Sequence, residues 1–407
     1  YGHGRDTSPR LEALAREGVR FDHAIAPAPW TLPSHASMFT GRHPHELSAD
    51  WRTPLDDEHP TIAEFLRERG YATAGFVANM GYCGWESGID RGFLHYEDVP
   101  VSPAQVAVSS AMARALINHP AVRRLVGSDE NVVRKSAAEV NAAFLAWLDR
   151  RAPADHPYFA FLNYYDAHAP YMPPEPYRTA FASGEPRGGV SPLHRWNANP
   201  FGTPPGPEEI RAEREAYEAT IAYVDAQIGR LVDELEARGR LDRTVLVVTS
   251  DHGEEFGEHG VYDHGNSLYL ESLHVPLVIR YPARLPAGRR VAGPIPLRRL
   301  AATLADLAGF DAADRLPGKS LASAWDGPPE AAPVLSEVSH APGLPDWFPV
   351  SRGDMRSVIH GDWHYILRGD GVEELFDTAV DPGERANLAG VPAAMEPLAR
   401  ARAALRA

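Results

Sequence analysis

Residues 244–265, TVLVVTSDHGEEFGEHGVYDHG, decide how the chain is read. Residues 244–249 are a short β-branched and apolar run, the composition of a strand buried on both faces of a sheet. Charge enters where that strand ends. The fifteen residues from Asp251 hold three histidines (His252, His259, His264) and five acids (Asp251, Glu254, Glu255, Glu258, Asp263), with Gly253, Gly257, Gly260 and Gly265 leaving the backbone free to bend. Open α/β sheets bind ligands beyond the carboxyl ends of their strands. An Asp-His pair there offers a divalent cation one hard oxygen and one imidazole. An isolated pair reads as a surface turn; the strand before it and the dense His and acid loop after it favour a site.

Around this stretch helix and strand patterns alternate. A helix is expected after the Asp6-Thr7-Ser8-Pro9 start, with Leu11, Leu14 and Ala15 on its buried stripe, and a strand over 19–26. A short helix is expected over 34–40, stopping at Gly41. Thr31 stands just before it, where free backbone N–H groups attract anions; taken alone, a helix cap accounts for Thr31 as well. Residues 60–69 read as an amphipathic helix and 71–77 as a strand, with Asn79 just past its end, placed to touch a substrate or to form a turn. Helical spacing runs through 105–150, and 158–165 is an aromatic strand that delivers Asp166 and His168 ahead of Pro170, Pro173 and Pro174. That sequence suggests a loop over a pocket, or a surface pair. Residues 182–207 read as a lid or rim, 208–238 as a long helix, 275–281 as a strand and 297–307 as a helix. Past 328 the pattern changes to strands at 333–338, 356–360, 363–367 and 373–377 around a Gly369-Asp370-Gly371 turn. The expected division is a catalytic α/β domain over 1–327 and an antiparallel subdomain with a terminal helix over 328–407.

Composition narrows the partners. With 407 residues, 44% of them hydrophobic, the chain can bury a large core. Its net charge of -15 argues against a nucleic-acid polymer or an anionic membrane surface as partner. An anionic substrate needs a local positive centre. The single cysteine, Cys83, excludes an internal disulfide framework and a cysteine zinc cluster, and reads as a small buried hydrophobe. No run approaches the roughly 20 apolar residues of a membrane span.

Residues 30–42 (WTLPSHASMFTGR), Ser250-Asp251-His252-Gly253, residues 158–174, Tyr223-Val224-Asp225, Gly257-Glu258-His259-Gly260, Val275-Pro276-Leu277 and the closing Glu374-Leu375-Phe376-Asp377 with Asp381-Pro382-Gly383-Glu384 follow in the order of the sulfatase family of the alkaline phosphatase superfamily. The resemblance covers nearly the whole chain. It implies an alkaline-phosphatase-like α/β fold, a mixed, mostly parallel sheet between helices with a small C-terminal antiparallel subdomain. The family's sulfate-ester hydrolases carry Cys or Ser, matured to formylglycine, where this chain has Thr31, and threonine cannot be matured that way. No formylglycine is therefore expected. Where the family usually has Arg four positions on, this chain has His35; its GKWH segment falls near residues 77–80, and its Lys after the GEHG turn corresponds to His264.

These departures imply a relative with an unmodified hydroxyl, acting on phosphate monoesters, phosphodiesters or phosphonates, or transferring a phospho group. The resemblance gives Thr31 as nucleophile, Asp251, His252 and Thr31 as ligands of a divalent cation, His264 and His168 as groups for leaving-group protonation and oxyanion contact, and His35 and Asn79 as holders of non-bridging oxygens. Calcium, magnesium, manganese and zinc all suit such donors. The expected substrate is a small anionic ester or a glycan- or lipid-linked one. A sulfuric ester hydrolase and a non-catalytic member kept as a binding or scaffold module are the alternatives. The family's first strand, which ends in acidic metal ligands, is expected before Tyr1 together with any signal peptide, so the metal site of these residues is expected to be incomplete or distorted, with two strands left unpaired.

Overall fold

The computed structural model describes residues 2–98, 135–153, 156–183, 202–326 and 332–406. Its strands in chain order are β1 (Val19–Ile25), β2 (Ala72–Val77), β3 (His95–Glu97), β4 (Tyr158–Asn163), β5 (Leu246–Thr249), β6 (Glu255–Phe256), β7 (Tyr262–Asp263), β8 (His274–Arg280), β9 (Arg289–Pro296), β10 (Val334–Val338), β11 (Met355–His360), β12 (Trp363–Leu367) and β13 (Glu373–Asp377). One sheet has the order β5-β8-β1-β9 and another β3-β2-β4. The pairs β1/β9, β2/β3 and β2/β4 are parallel, whereas β8 runs antiparallel to both β1 and β5. Val19, Phe21, Ala24 and Ile25 bury β1 in the largest apolar core, which explains its β-branched and aromatic composition. This is the mixed α/β architecture expected, and the C-terminal sheet β10-β11-β12-β13 is antiparallel throughout.

Helices cover these sheets. Pro9–Glu17 has Pro at its first turn, and its free N–H groups are capped from afar: Arg10 and Leu11 donate to the Asp225 carboxylate at 2.9 and 2.8 Å. Asp225 lies on the long helix Pro207–Ala237, so this one side chain fixes the angle between two helices. Arg402 on the terminal helix Met395–Arg406 pairs with Glu373 of β13, and Leu398 and Ala401 bury that helix against the antiparallel sheet.

The sequence reading missed β3, the short hairpin β6/β7, and β9. The last reads RRVAGPIP, whose Gly293 and two prolines argue against a strand. Among the described residues it pairs on one side only, parallel to β1, with a register shift between Phe21 and His23 that absorbs the irregularity. The expected helix over 105–150 is described only as Ala137–Arg151, and residues 105–134 lie outside the described residues, as do 184–201 of the expected rim and 327–331 at the expected domain boundary.

β4 and β5 are not hydrogen-bonded to each other. Between them lies a cavity of about 1010 Å³, lined by every residue of both strands. Its faces are the long helix (Ile228, Leu231, Leu235) and Ile62, Leu66 and Leu304. β4 and β5 are accordingly only half-buried along their length, whereas β2 is buried beyond its first residue.

Candidate active site

Thr31 is the first residue of the helix Thr31–Thr40, which begins three residues earlier than the sequence suggests. Trp30, extended at φ -137, ψ 139, is the N-cap, so the Thr31 hydroxyl is not consumed in capping. That hydroxyl lies 3.3 Å from His252 Nε2 and is almost wholly buried. His252 Nδ1 donates to the Gly253 carbonyl at 2.9 Å, which leaves Nε2 with its lone pair facing Thr31. Burial pulls the His252 pKa down to about 4, against the pull of Asp251, so the ring is neutral at neutral pH. Asp251 Oδ2 is 3.5 Å from His252 Nε2; burial raises its pKa, but His252 and His35 outweigh that and the carboxyl is held below its ordinary value. Ser34 secures the turn by donating to the Asp251 carbonyl at 2.6 Å.

A hydroxyl oxygen, an imidazole nitrogen and a carboxylate oxygen thus follow one another at 3.3 and 3.5 Å. Ligands around one ion with bonds of about 2.0–2.2 Å are separated by about 3.3–3.6 Å in tetrahedral geometry. Two of the three donor separations therefore fall in the range of ligands to one divalent cation, and the donor types, a hydroxyl, an imidazole and a single carboxylate, suit such an ion.

His264 stacks on His252, ring centroids 4.2 Å apart, and His168 meets it edge-on at 5.0 Å. His264 Nδ1 sits between Asp263 Oδ1 at 2.9 Å and Glu254 Oε1 at 3.0 Å. Burial disfavours its charge, yet these two carboxylates hold its pKa well above the ordinary range. His264 is thus a local positive centre, with Nε2–H as its remaining donor. Asp263 is turned onto it by a left-handed backbone, φ 71, which Asp tolerates better than most residues. Glu254 takes a second hydrogen bond from the Tyr171 hydroxyl at 2.7 Å, and its pKa is raised to about 7 by burial, with His264 opposing and Asp263 adding.

Of the remaining residues singled out from sequence, His168 donates from Nδ1 to the Ala169 carbonyl at 2.7 Å, and the Tyr165 hydroxyl is 3.3 Å from its Nε2. His35 is buried; its Nδ1 donates to the Thr31 carbonyl at 2.8 Å and lies 3.5 Å from Asp251 Oδ2. The Asn79 side-chain oxygen accepts from Tyr82 N at 3.2 Å as cap of the helix Met80–Cys83, and Cys83 is fully buried 3.8 Å from His35 Nδ1. Glu254 and Asp263 were visible only as part of an acidic loop. A histidine following directly on an aspartate, with another acid ten residues before it, was the available signal.

A model of the family described as Sulfatase matches residues 1–310. The chain belongs to the sulfatase family. Among curated relatives, this member is similar to arylsulfatase K of Xenopus laevis, 27% identical over 95% of this chain and 75% of that protein, and to choline-sulfatase of Rhizobium meliloti (strain 1021), 27% identical over 95% of this chain and 78% of that protein. Among solved structures, the phosphonate monoester hydrolase of Agrobacterium radiobacter shares its fold with a TM-score of 0.76 at 23% identity, over 99% of this chain and 91% of that one. Sulfatase-fold neighbours thus include enzymes of both sulfur and phosphorus esters. No helix among the described residues is long and apolar enough to cross a membrane.

Proposed function

We propose that this sulfatase-family hydrolase cleaves phosphate monoesters, phosphodiesters or phosphonate esters, or transfers their phospho group, through the unmodified hydroxyl of Thr31. One observation carries the reading. Thr31 Oγ1 stands 3.3 Å from a neutral imidazole lone pair, in a donor set with Asp251, beside a charged His264, and no formylglycine can form at that position. Asp251, His252 and Thr31 would hold the cation, which when bound would lower the pKa of the hydroxyl and offset developing oxygen charge. Thr31 Oγ1, its hydroxyl proton given up to solvent beforehand, forms the new O–P bond in line as the bond to the leaving oxygen breaks, and is released again as the same alkoxide when the phosphothreonine is cleaved. His264 gives its Nε2 proton to that oxygen. A water or a second alcohol then displaces threonine from phosphorus and returns a proton to His264. His168, packed on His264, fixes the ring edge that meets the substrate, and His35 supports Asp251 from behind. Each such contact made only in the transition state is worth roughly 3 to 4 kcal/mol. The substrate is a small anionic ester or a glycan- or lipid-linked one.

The slot between β4 and β5 supports a companion proposal, that a parallel strand ending in carboxylates inserts there. Among the described residues β4 and β5 each pair on one side only, and β5 leads directly into Asp251. Such a strand would supply the cation with the additional hard oxygens that calcium or magnesium favours.

Sulfuric ester hydrolysis is the second reading, favoured by the likeness to arylsulfatase K and choline-sulfatase. The test is hydrolysis of matched aryl phosphate, phosphodiester, phosphonate and sulfate esters by the full-length protein, with Mn²⁺, Mg²⁺, Ca²⁺, Zn²⁺ or none, against Thr31→Ala. Metal-dependent phosphorus ester cleavage lost in Thr31→Ala is expected. Cleavage of sulfate esters alone overturns the reading, and cleavage of none moves the protein to the scaffold class.

A further inference from the structure

Trp30 directly precedes Thr31, and its indole lies against His264, ring centroids 5.3 Å apart. His264 also stacks on His252, ring centroids 4.2 Å apart, and His252 Nε2 is 3.3 Å from the Thr31 hydroxyl. A group that gives a proton to the leaving oxygen must touch that oxygen, so whatever the oxygen carries sits beside His264, within reach of the indole packed on it. Trp51 at 4.5 Å and Tyr82 at 4.9 Å continue the aromatic surface beyond it. All three rings are half-buried, so each keeps part of its surface for a ligand.

The wall is built to stay in place. Gly265, at φ 77, has no side chain where a Cβ would come within 2.7 Å of Trp30 and 2.8 Å of Trp51. Trp51 is anchored by its Nε1–H, which donates to the Ser339 carbonyl at 2.7 Å. Trp30 Nε1, by contrast, is buried with no hydrogen-bond partner. A buried donor without a partner carries a free-energy cost that an acceptor on a bound ligand would relieve. Trp30 also walls a second cavity of about 170 Å³, shared with Trp51 and with Asp50, Glu337 and Asp354.

We propose that Trp30 determines leaving-group specificity, selecting esters of ring-bearing alcohols whose flat apolar face stacks on its indole, with Trp51 and Tyr82 as supports. The ring is aromatic or the saturated face of a sugar; the contact chemistry is the same. This rests on His264 as proton donor in the proposed phosphoesterase, and a binding measurement separates the two. Benzylphosphonate, cyclohexylmethylphosphonate and ethylphosphonate carry a methylene in place of the ester oxygen and cannot be hydrolysed there. Calorimetry on the full-length, metal-supplied protein is expected to give about fivefold tighter binding of a ring-bearing phosphonate than of ethylphosphonate. The tighter of the two ring compounds identifies an aryl or a sugar-like group. Trp30→Ala is expected to abolish that ratio, Trp30→Phe to keep most of it, and Trp51→Leu, which leaves the chain around Thr31 untouched, to reduce it. Equal affinities for all three phosphonates in the native protein, or an unchanged ratio in Trp30→Ala, overturn the proposal even when esters are hydrolysed. Ring selectivity without hydrolysis of any ester keeps Trp30 as a recognition residue and refutes the phosphoesterase reading instead.

Discussion

Asp263→Asn removes one of the two carboxylates that hold the charge on His264 while keeping its shape. His264 Nδ1 is 2.9 Å from Asp263 and 3.0 Å from Glu254, and only 4% of the residue is exposed. Two unit charges about 4 Å apart in an effective dielectric of about 20 interact by about 4 kcal/mol, equivalent to about three pKa units. The net shift is smaller, because Asp263 also raises the pKa of Glu254, and without it Glu254 ionises more readily and returns part of the field. The expected fall in the His264 pKa is therefore about one to two units. The sign follows from the role proposed for His264: a general acid must be protonated, and His264 in the native chain keeps its proton well above the ordinary histidine range. The alkaline limb of kcat/KM for a phosphonate ester should move to lower pH by that amount in Asp263→Asn, with the acid limb unmoved. The same variant should lose stability at neutral pH. A group whose folded pKa is raised stabilises fully below its unfolded value near 6.5, and that stabilisation fades as pH rises through the folded pKa. Ring-carbon NMR of labelled histidine across pH reads the titration directly. An alkaline limb that stays where it is, with His264 still charged, would refute the assignment of Asp263 as the group that sets this acid.

Thr31→Ala should lower kcat by about 10³-fold or more, whereas Thr31→Ser, which keeps the oxygen, should retain measurable turnover; equal losses in both would remove the hydroxyl from the mechanism. His35→Gln cuts the buried imidazole from behind Asp251 and should weaken metal affinity by about 10- to 100-fold by calorimetry, with little change in melting temperature of the metal-free chain. Asp225→Asn keeps the shape but weakens the charge-assisted cap on Arg10 and Leu11, and should cost about 1 kcal/mol in denaturant unfolding; no change in midpoint would show the cap to be idle. Glu373, held at a pKa of about 2 chiefly by its hydrogen bonds from Arg402 and Tyr365, stabilises the docked terminal helix fully above its ordinary value of 4.5 and progressively less as pH falls toward about 2. Amide exchange in Met395–Arg406 should thus accelerate only in strong acid, and release already at pH 5 would contradict the pairing.

The strands beside the site were readable because burial on both faces demands the apolar runs at 72–77 and 275–279, because Val19 and Phe21 alternate with polar residues at the start of β1, and because the charges cluster where β5 stops. β9 was not, since a strand paired on one side tolerates the very Gly and Pro residues that mark a loop. The same limit applies to side-chain direction. That His35 lies four residues after Thr31 fixes its place on the helix, but its turn inward, onto the Thr31 carbonyl and Asp251, depends on Phe39 and Phe161 packing edge-on against its ring. Glu254 and Asp263 meet on one histidine nitrogen only because β6 and β7 pair, and a pair of two-residue strands leaves no periodicity to read.

Contacts from the antiparallel sheet and the turn after it hold the acid loop, with its buried ionisable groups, in place. Leu270 N donates to the Glu384 carboxylate at 2.7 Å, and that carboxylate also receives His364, on a residue with left-handed backbone. The Tyr269 hydroxyl donates to Glu374 at 3.1 Å, and His259 stacks on the Tyr269 ring with centroids 3.7 Å apart while facing Glu271 at 3.5 Å. Glu374 and Glu384 come from the C-terminal motifs, and Tyr269 and Leu270 lie at the start of the helix Leu270–Leu273 that follows the loop. The loop is therefore pinned at its exit by groups more than a hundred residues away. Such pinning matters most where repulsion is greatest: Glu254, Glu255 and Asp263 crowd a volume in which Glu255 is wholly buried with its pKa pushed well up by burial. A loop free to move would relieve that crowding by opening to water, and His264 would lose the field that charges it. Cutting the pin at Glu384 should consequently reach the active site as a fall in the His264 pKa, a consequence that packing of the subdomain alone would not produce.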